Sequence, residues 1–271
     1  MKRSAILILA GAMSLALGFG TCFAEKIVLA GSTTVLPIAQ KTAEVFMDKN
    51  AGADISVRGG GSSVGIASLI DGTCDIADAS RPIKDTEIQQ AAANGRDPVA
   101  HIVAMDGIAV VVNNSNPVSK LSRKQIRDIF TGKVSDWSQL GGSPGKIVVV
   151  SRDTSSGTFE AFGELVMKGE KVIPGALMQA SNQAVATIVA QTPSAIGYVG
   201  LGFMTKEIKP IEIEGIMPSK ETVLSGKYPV TRPLFMYSNG QPQGMTKEYL
   251  DFVKSREGQD LVEEQGYVGL K

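Results

Sequence analysis

The stretch SRDTSSGTFEAF, residues 151–162, comes directly after the apolar run KIVVV at residues 146–150. A short run rich in valine and isoleucine predicts a buried strand. Residues 151–158 then pack one arginine, three serines, two threonines and a glycine ahead of residues suited to a helix. The pattern is therefore strand, hydroxyl-rich turn, helix start. The first N–H groups of a helix lack internal partners and carry partial positive charge. Hydroxyls and an arginine at that point make a site for an oxyanion. Serine and threonine also serve as plain helix caps, so one such turn is equally well explained by capping.

Moving outward, the same design recurs. GSTTVLP at 31–37 comes after a predicted strand at 26–30 and opens a helix over 34–49, with Ala39, Ala43, Val45 and Phe46 along one side. GGGSSVG at 59–65 comes after a strand at 54–57 and opens a helix over 63–70. Its three glycines let backbone approach a ligand closely. SRP at 80–82 comes after a strand at 75–79 and precedes a helix over 85–94. Glycine with paired hydroxyls at successive strand ends is poorly explained by independent capping. The turns have no aromatic platform for a sugar or base, so the expected ligand is a small anion.

Strand and helix signals alternate along the chain, which predicts α/β architecture with mainly parallel sheets flanked by helices. A long apolar stretch, residues 101–112, carries the chain into a second unit. There, helices are expected at 122–130, 158–167 and 181–191, with strands at 146–150 and 195–199. Further strands are expected at 208–213 and 233–237, and helices at 245–254 and 255–264. Two lobes are expected, one from residues 25–107 and 205–271, the other from 108–204. Ligands of such sheets sit beyond the carboxyl ends of the strands, where the hydroxyl-rich turns lie.

Composition excludes several classes. Lys2 and Arg3 precede an apolar stretch over residues 5–19, and Cys22-Phe23-Ala24 ends it, a secretory leader cut after Ala24. The alternatives are a membrane anchor, for which the apolar core is short, and a lipid attached at Cys22. The whole chain has 27 basic and 27 acidic residues. Without the two basic residues of the leader, 25 basic face 27 acidic, so the remainder is close to neutral. That lacks the clustered basic face of a nucleic-acid binder. Past the leader, Cys74 is the lone cysteine and His101 the lone histidine. They cannot form a disulfide or a His- or Cys-rich metal cluster, and neither supplies a convincing nucleophile–base set for a hydrolase. Trp137 reads as a packing residue.

GSTTVLPIA, GGGSSVGI, DIADASRPI and SRDTSSGTFEAF stand in the order and spacing of a known family, and TPSAIGYVGLGF and YPVTRPLFMY extend the likeness over nearly all of the chain past the leader. The sequence resembles the periplasmic phosphate-binding protein of ABC-type phosphate transporters. The resemblance implies a type II periplasmic-binding-protein fold, two-lobed, with phosphate held in the cleft. It implies a non-enzymatic, cofactor-free, monomeric protein of the periplasm or cell exterior that delivers its ion to a membrane permease. Carried over residue by residue, it implies phosphate donors at Ser32, Thr33, Thr34, Ser62, Ser63, Arg152, Ser156, Gly157 (through its N–H) and Thr158. Asn182 is expected behind them, in a second shell. Rival readings are a binder of sulfate, molybdate or tungstate, a secreted phosphatase-like hydrolase, and a sensory or adhesive protein.

One departure stands out. The resemblance implies an aspartate that accepts the proton of phosphate, and alignment on Pro82 puts Ser80 there. Thr154 stands where an acid is implied two places after the arginine. Asp78 and Asp153 lie nearby but are displaced. A carboxylate favours a protonated anion over sulfate, whereas a hydroxyl can donate or accept. The expectation is phosphate binding, with Ser80 in the site, and weaker rejection of sulfate.

Overall fold

The computed structural model describes residues 25–270. The expected leader and Cys22 lie outside them. The elements run β1 (Glu25–Gly31), α1 (Leu36–Lys49), β2 (Ala53–Arg58), α2 (Ser62–Ile70), β3 (Ile76–Ala79), α3 (Asp85–Ala93) and β4 (Pro98–Asn113). They continue with β5 (Lys120–Leu121), α4 (Arg123–Phe130), β6 (Val148–Arg152), α5 (Gly157–Phe162), β7 (Leu177–Gln179), α6 (Asn182–Gln191) and β8 (Ala195–Gly200). The chain ends with β9 (Ile208–Pro210), β10 (Glu212–Ile213), α7 (Lys220–Leu224), β11 (Thr231–Asn239), α8 (Gly244–Lys254) and α9 (Arg256–Glu264).

The main sheet has the order β2-β1-β3-β11-β4-β8-β6-β7, with β9 also on β4. Its two flanks, β2-β1-β3 and β8-β6-β7, are parallel. Its centre is antiparallel, where β11 meets β3 and β4, and β4 meets β8. Strand β4 joins two cores. From Pro98 to Gly107 it pairs with β11, and from Ile108 to Val112 it pairs with β8. The first half of the molecule thus gathers around β1, β2 and β3, and the second around β6 and β8.

Period-two patterning places the cores. On β1, Ile27 and Leu29 face a cluster with α1, α8 and α9, while Val28 and Ala30 face a cluster with α2 and β3. Both faces are covered, as parallel strands require. In the second half Ile108 to Val112 are wholly buried with Ile196, Tyr198 and Val199. Each valine and isoleucine among them contributes about 1.5–3 kcal/mol of hydrophobic stabilisation. Trp137 is buried there and donates its indole N–H to the Ser194 carbonyl at 2.9 Å, so it is a packing residue as expected.

The expected return to the first lobe near Met204 is displaced. Strand β9 pairs with the second half of β4, and Ile208, Ile211, Ile213, Val223, Tyr228 and Val230 join the second core. The crossing back is made by β11, whose Thr231 stands opposite Gly107. The alternation in residues 208–213 announces a strand, but not which sheet receives it. The short β5, β7 and α7 are absent from the sequence reading, since two- to five-residue elements carry too little periodicity.

Candidate functional site

The four turns converge where the two halves meet. In the first, Gly31 has φ of 140°, and a Cβ there would lie 2.1 Å from the Asp78 carbonyl oxygen, so only glycine fits. The Ser32 N–H donates to that carbonyl at 2.8 Å. Ser32 Oγ accepts the N–H groups of Thr34 at 3.1 Å and Val35 at 3.4 Å. With both lone pairs occupied, this hydroxyl has only its proton left to give. Ser156 repeats the device before α5, accepting the N–H groups of Thr158 and Phe159, both at 3.2 Å.

The remaining hydroxyls interlock. Thr34 Oγ1 lies 2.9 Å from Thr158 Oγ1, a contact between the halves. Ser62 Oγ accepts the Ser80 N–H at 3.0 Å and lies 3.3 Å from Ser80 Oγ. Gly157 is pressed against this pair, since a Cβ on it would come within 2.3 Å of Ser62 Oγ and 2.7 Å of Ser80 Oγ. Its N–H, the first of α5, has no intrahelical acceptor. Ser32, Thr33, Thr34, Ser62, Ser80, Arg152, Ser156 and Thr158 are all buried.

Arg152 supplies the charge. Its Nε donates to the Gln179 carbonyl at 3.1 Å, and its Nη2 to the Ala180 carbonyl at 3.0 Å and to Thr33 Oγ1 at 3.1 Å. Its Nη1 is buried and has no partner. Burial pushes the guanidinium pKa down to about 10; Tyr198 and Asp153 oppose the shift, and the neighbouring Arg232 adds to it. A buried cation with a free N–H pair is a receptor for an anion.

Ser63 is not in the cluster. Its N–H donates to the Ser155 carbonyl at 3.1 Å, its hydroxyl donates to Glu160 Oε1 at 3.1 Å, and it accepts Arg81 Nη2 at 3.1 Å. Its polar groups are thus engaged in fastening one half to the other. Arg81 belongs to the same network. It binds Glu87 through both oxygens, at 2.7 and 2.8 Å, and its Nε lies 2.9 Å from Glu160 Oε1. Lys84 pairs with Glu160 Oε2. Burial works against the Arg81 charge, but Glu87 and Glu160 more than offset it and hold its pKa above the usual value.

The two acids considered in place of the missing carboxylate stay out of the cluster. Asp153 accepts the Ser155 N–H and hydroxyl, at 2.9 and 2.6 Å, and shapes its own turn. Thr154 is exposed. Asp78 is fully buried, neither of its oxygens has a hydrogen-bond partner, and burial raises its pKa well above the usual carboxyl range. Ser80 therefore stands alone at the position where the resemblance implied an acid.

Two residues behind the hydroxyls escape the sequence reading. Arg232 on β11 donates from Nε and Nη2 to Asp106 Oδ2, at 3.1 and 2.8 Å, and from Nη1 to the Ser80 carbonyl at 3.0 Å. Its Nη2 also reaches Thr158 Oγ1 at 3.0 Å and Thr34 Oγ1 at 3.3 Å. Asp106 on β4 accepts the Leu201 N–H as well, at 2.9 Å. Burial raises the Asp106 pKa, and Arg232 limits the rise. The signal is present in the sequence, as one charge inside each of two apolar strands, HIVAMDGIAVVV and YPVTRPLFMY. Asn182, expected in a second shell, donates from Nδ2 to Thr33 and Thr34 Oγ1, at 3.3 and 3.0 Å.

His101 lies apart from this cluster. Its Nε2 is 2.8 Å from Ser238 Oγ, which gives its own proton to the Gly240 carbonyl at 2.9 Å. The ring therefore donates to that serine and does not activate it. Among the described residues, no helix is long and apolar enough to cross a membrane, and no three His, Cys, Asp or Glu side chains are grouped to hold a metal ion.

Residues 20–257 match the model of the PBP superfamily domain. Over 245 residues the chain is 34% identical to the phosphate-binding protein PstS of Bacillus subtilis, an alignment covering 90% of this chain and 80% of that one. The chain belongs to the PstS family of phosphate-binding proteins within the PBP superfamily. A solved family relative, a putative phosphate ABC transporter substrate-binding protein with bound phosphate from Clostridium perfringens, is 32% identical. It superposes with a TM-score of 0.85 over 91% of this chain and 100% of its own. An ABC-type phosphate transport receptor from Vibrio cholerae is 33% identical, with a TM-score of 0.75 over 90% of this chain and 100% of its own. The fold is thus that of the PstS proteins, and the converging turns lie between its two halves.

Proposed function

We propose that this chain captures inorganic phosphate between its two halves and delivers it to the membrane permease of an ABC transporter. The observation that carries the reading is the free, buried Nη1 of Arg152 among hydroxyl groups contributed by both halves. The names of the relatives at 30% identity and above point the same way.

In this reading Ser32, Thr33, Thr34 and Ser62 donate from the first half, and Arg152, Ser156, Thr158 and the Gly157 N–H from the second. Ser80 Oγ meets the protonated oxygen of the anion. Ser63 acts beside the site, in the contacts between the halves. The moving units divide at β4 and β11, with residues 108–230 in the second lobe. Donors from both halves are engaged together only when the cleft is shut, so the anion favours the shut form. In a dry cleft, neutral donors bind strongly because no water competes. The protein works as a monomeric carrier outside the cytoplasm and performs no bond-breaking chemistry.

Calorimetric titration of the chain with phosphate, sulfate and molybdate tests this. Heat and 1:1 saturation with phosphate are expected, with excess sulfate competing. Heat from molybdate or sulfate alone would replace phosphate with that anion, and no heat from any oxyanion would end the reading.

A further inference from the structure

The hydrogen bonds behind the threonines carry directional information. A hydroxyl has one proton to give and two lone pairs to fill. Thr33 Oγ1 receives Arg152 Nη2 at 3.1 Å and Asn182 Nδ2 at 3.3 Å. Thr34 Oγ1 receives Asn182 Nδ2 at 3.0 Å. Arg232 Nη2 is 3.3 Å from it, but its two protons go to nearer acceptors, Asp106 Oδ2 at 2.8 Å and Thr158 Oγ1 at 3.0 Å. Thr33 is thus filled as an acceptor, while Thr34 and Thr158 each keep one lone pair. In the 2.9 Å contact between Thr34 and Thr158, whichever hydroxyl donates fills the other, which is left with only its proton to give.

The groups that impose this order are themselves fixed. An asparagine amide can in principle be turned either way. Here Asn182 Oδ1 accepts the Gly200 N–H at 3.2 Å, which forces Nδ2 toward the threonines. Arg232 is held by Asp106, which the Leu201 N–H anchors in turn. Arg232 lies on β11 and Asp106 on β4, the two strands shared by both halves, whereas Thr34 and Thr158 come from opposite halves.

We propose that Asn182 and Arg232 are positioning residues that hold Thr33, and one of the pair Thr34 and Thr158, as obligate hydrogen-bond donors, so that this side of the site accepts only unprotonated oxyanion oxygens. The inference rests on the phosphate reading above. It assigns the selection of the ligand's protonation state to two side chains that need not touch it. Ser80 Oγ, with no N–H donor directed at it among the described residues, keeps its acceptor capacity and takes the ligand's proton.

The test compares the wild-type chain with Asn182→Leu, Arg232→Lys and the double variant Arg232→Met/Asp106→Asn, which removes the donor without stranding a buried charge. Phosphate affinity is measured at pH 6 and pH 8, with thermal midpoints as the folding control. The wild type should bind more tightly at pH 8, where phosphate carries fewer protons. Asn182→Leu and the double variant should lose about tenfold or more in affinity, the scale of one or two buried hydrogen bonds. They should also lose most of the pH preference, while Arg232→Lys keeps a donor and part of both. Asp78 is common to all of these proteins and drops out of the comparison. Equal losses at both pH values would mean a purely structural role and overturn the inference, as would affinities within about twofold of wild type. Should the double variant not fold, Asn182→Leu decides by the same criteria. A wild type that binds no oxyanion overturns the phosphate reading itself, a result distinct from altered pH dependence in a protein that binds.

Discussion

At Arg152 three contacts, two to backbone carbonyls and one to Thr33, hold the guanidinium in place, and Nη1 is buried without a partner. Replacing it with alanine should weaken phosphate binding by about a hundredfold or more, since losing a buried charged partner costs about 2–5 kcal/mol. Calorimetry would check this, and an unchanged affinity would remove Arg152 from the site. Asp78 makes a prediction about pH. Its carboxyl is buried without partners and its pKa is raised by that burial. In the unfolded chain it loses its proton near about pH 4. The folded protein holds the proton to higher pH, so folding stability falls as pH rises from there until the folded pKa is passed. Asp78→Asn lacks this penalty. Its thermal midpoint should track wild type at low pH and exceed it increasingly toward neutral pH; parallel curves would show that the Asp78 carboxylate is stabilised by something else. The turns that hold the clustered residues are legible in sequence because glycine and hydroxyls at strand ends have a direct physical meaning. The surroundings of Asp78 and Arg232 are not, because they come from elements far apart in the chain.

At the scale of elements, α5 carries contacts between the halves at two levels. Its first residue, Gly157, touches Ser62 and Ser80, and one turn later Glu160 meets Arg81, Lys84 and Ser63. Gly157→Ala should prevent the halves from meeting closely, because its Cβ would fall inside contact distance of two hydroxyls. The expected loss in phosphate affinity is about five- to a hundredfold, the equivalent of the 1–3 kcal/mol cost of overpacking. The midpoint of the ligand-free protein should change little, and a large drop there would mean that the clash is felt without phosphate. Glu160→Gln removes the charge that joins the halves without altering a cluster donor. Stopped-flow release of phosphate should be faster and less sensitive to salt, since salt screens such a pair in the parent. The regular elements are readable from period and composition. The π turn at Gly163–Met167 that extends α5, and the three-residue β7 beside Arg152, are not, because their register is set by packing.

For the whole molecule, the arrangement implies that phosphate and shape are linked. Scattering in solution should give a smaller radius of gyration with phosphate than without it, and phosphate should raise the thermal midpoint in proportion to the logarithm of its concentration. Identical scattering curves would mean a rigid cleft. The α/β alternation, the position of four hydroxyl-bearing turns and the family can all be read from the chain unfolded, because they depend on local patterning. The return between lobes cannot, since the alternation in residues 208–213 suits either sheet, and only strand pairing assigns it to the second. Sequence likewise groups Ser63 with the other turn hydroxyls, whereas folding directs its hydroxyl to Glu160 and Arg81. Those points, the Arg232–Asp106 pair and the direction of the threonine hydrogen bonds emerge only on folding. The physical reason is the same in each case: strand pairing and a hydrogen bond's direction depend on which distant groups the fold brings to the available edge or lone pair, and sequence spacing carries no record of that.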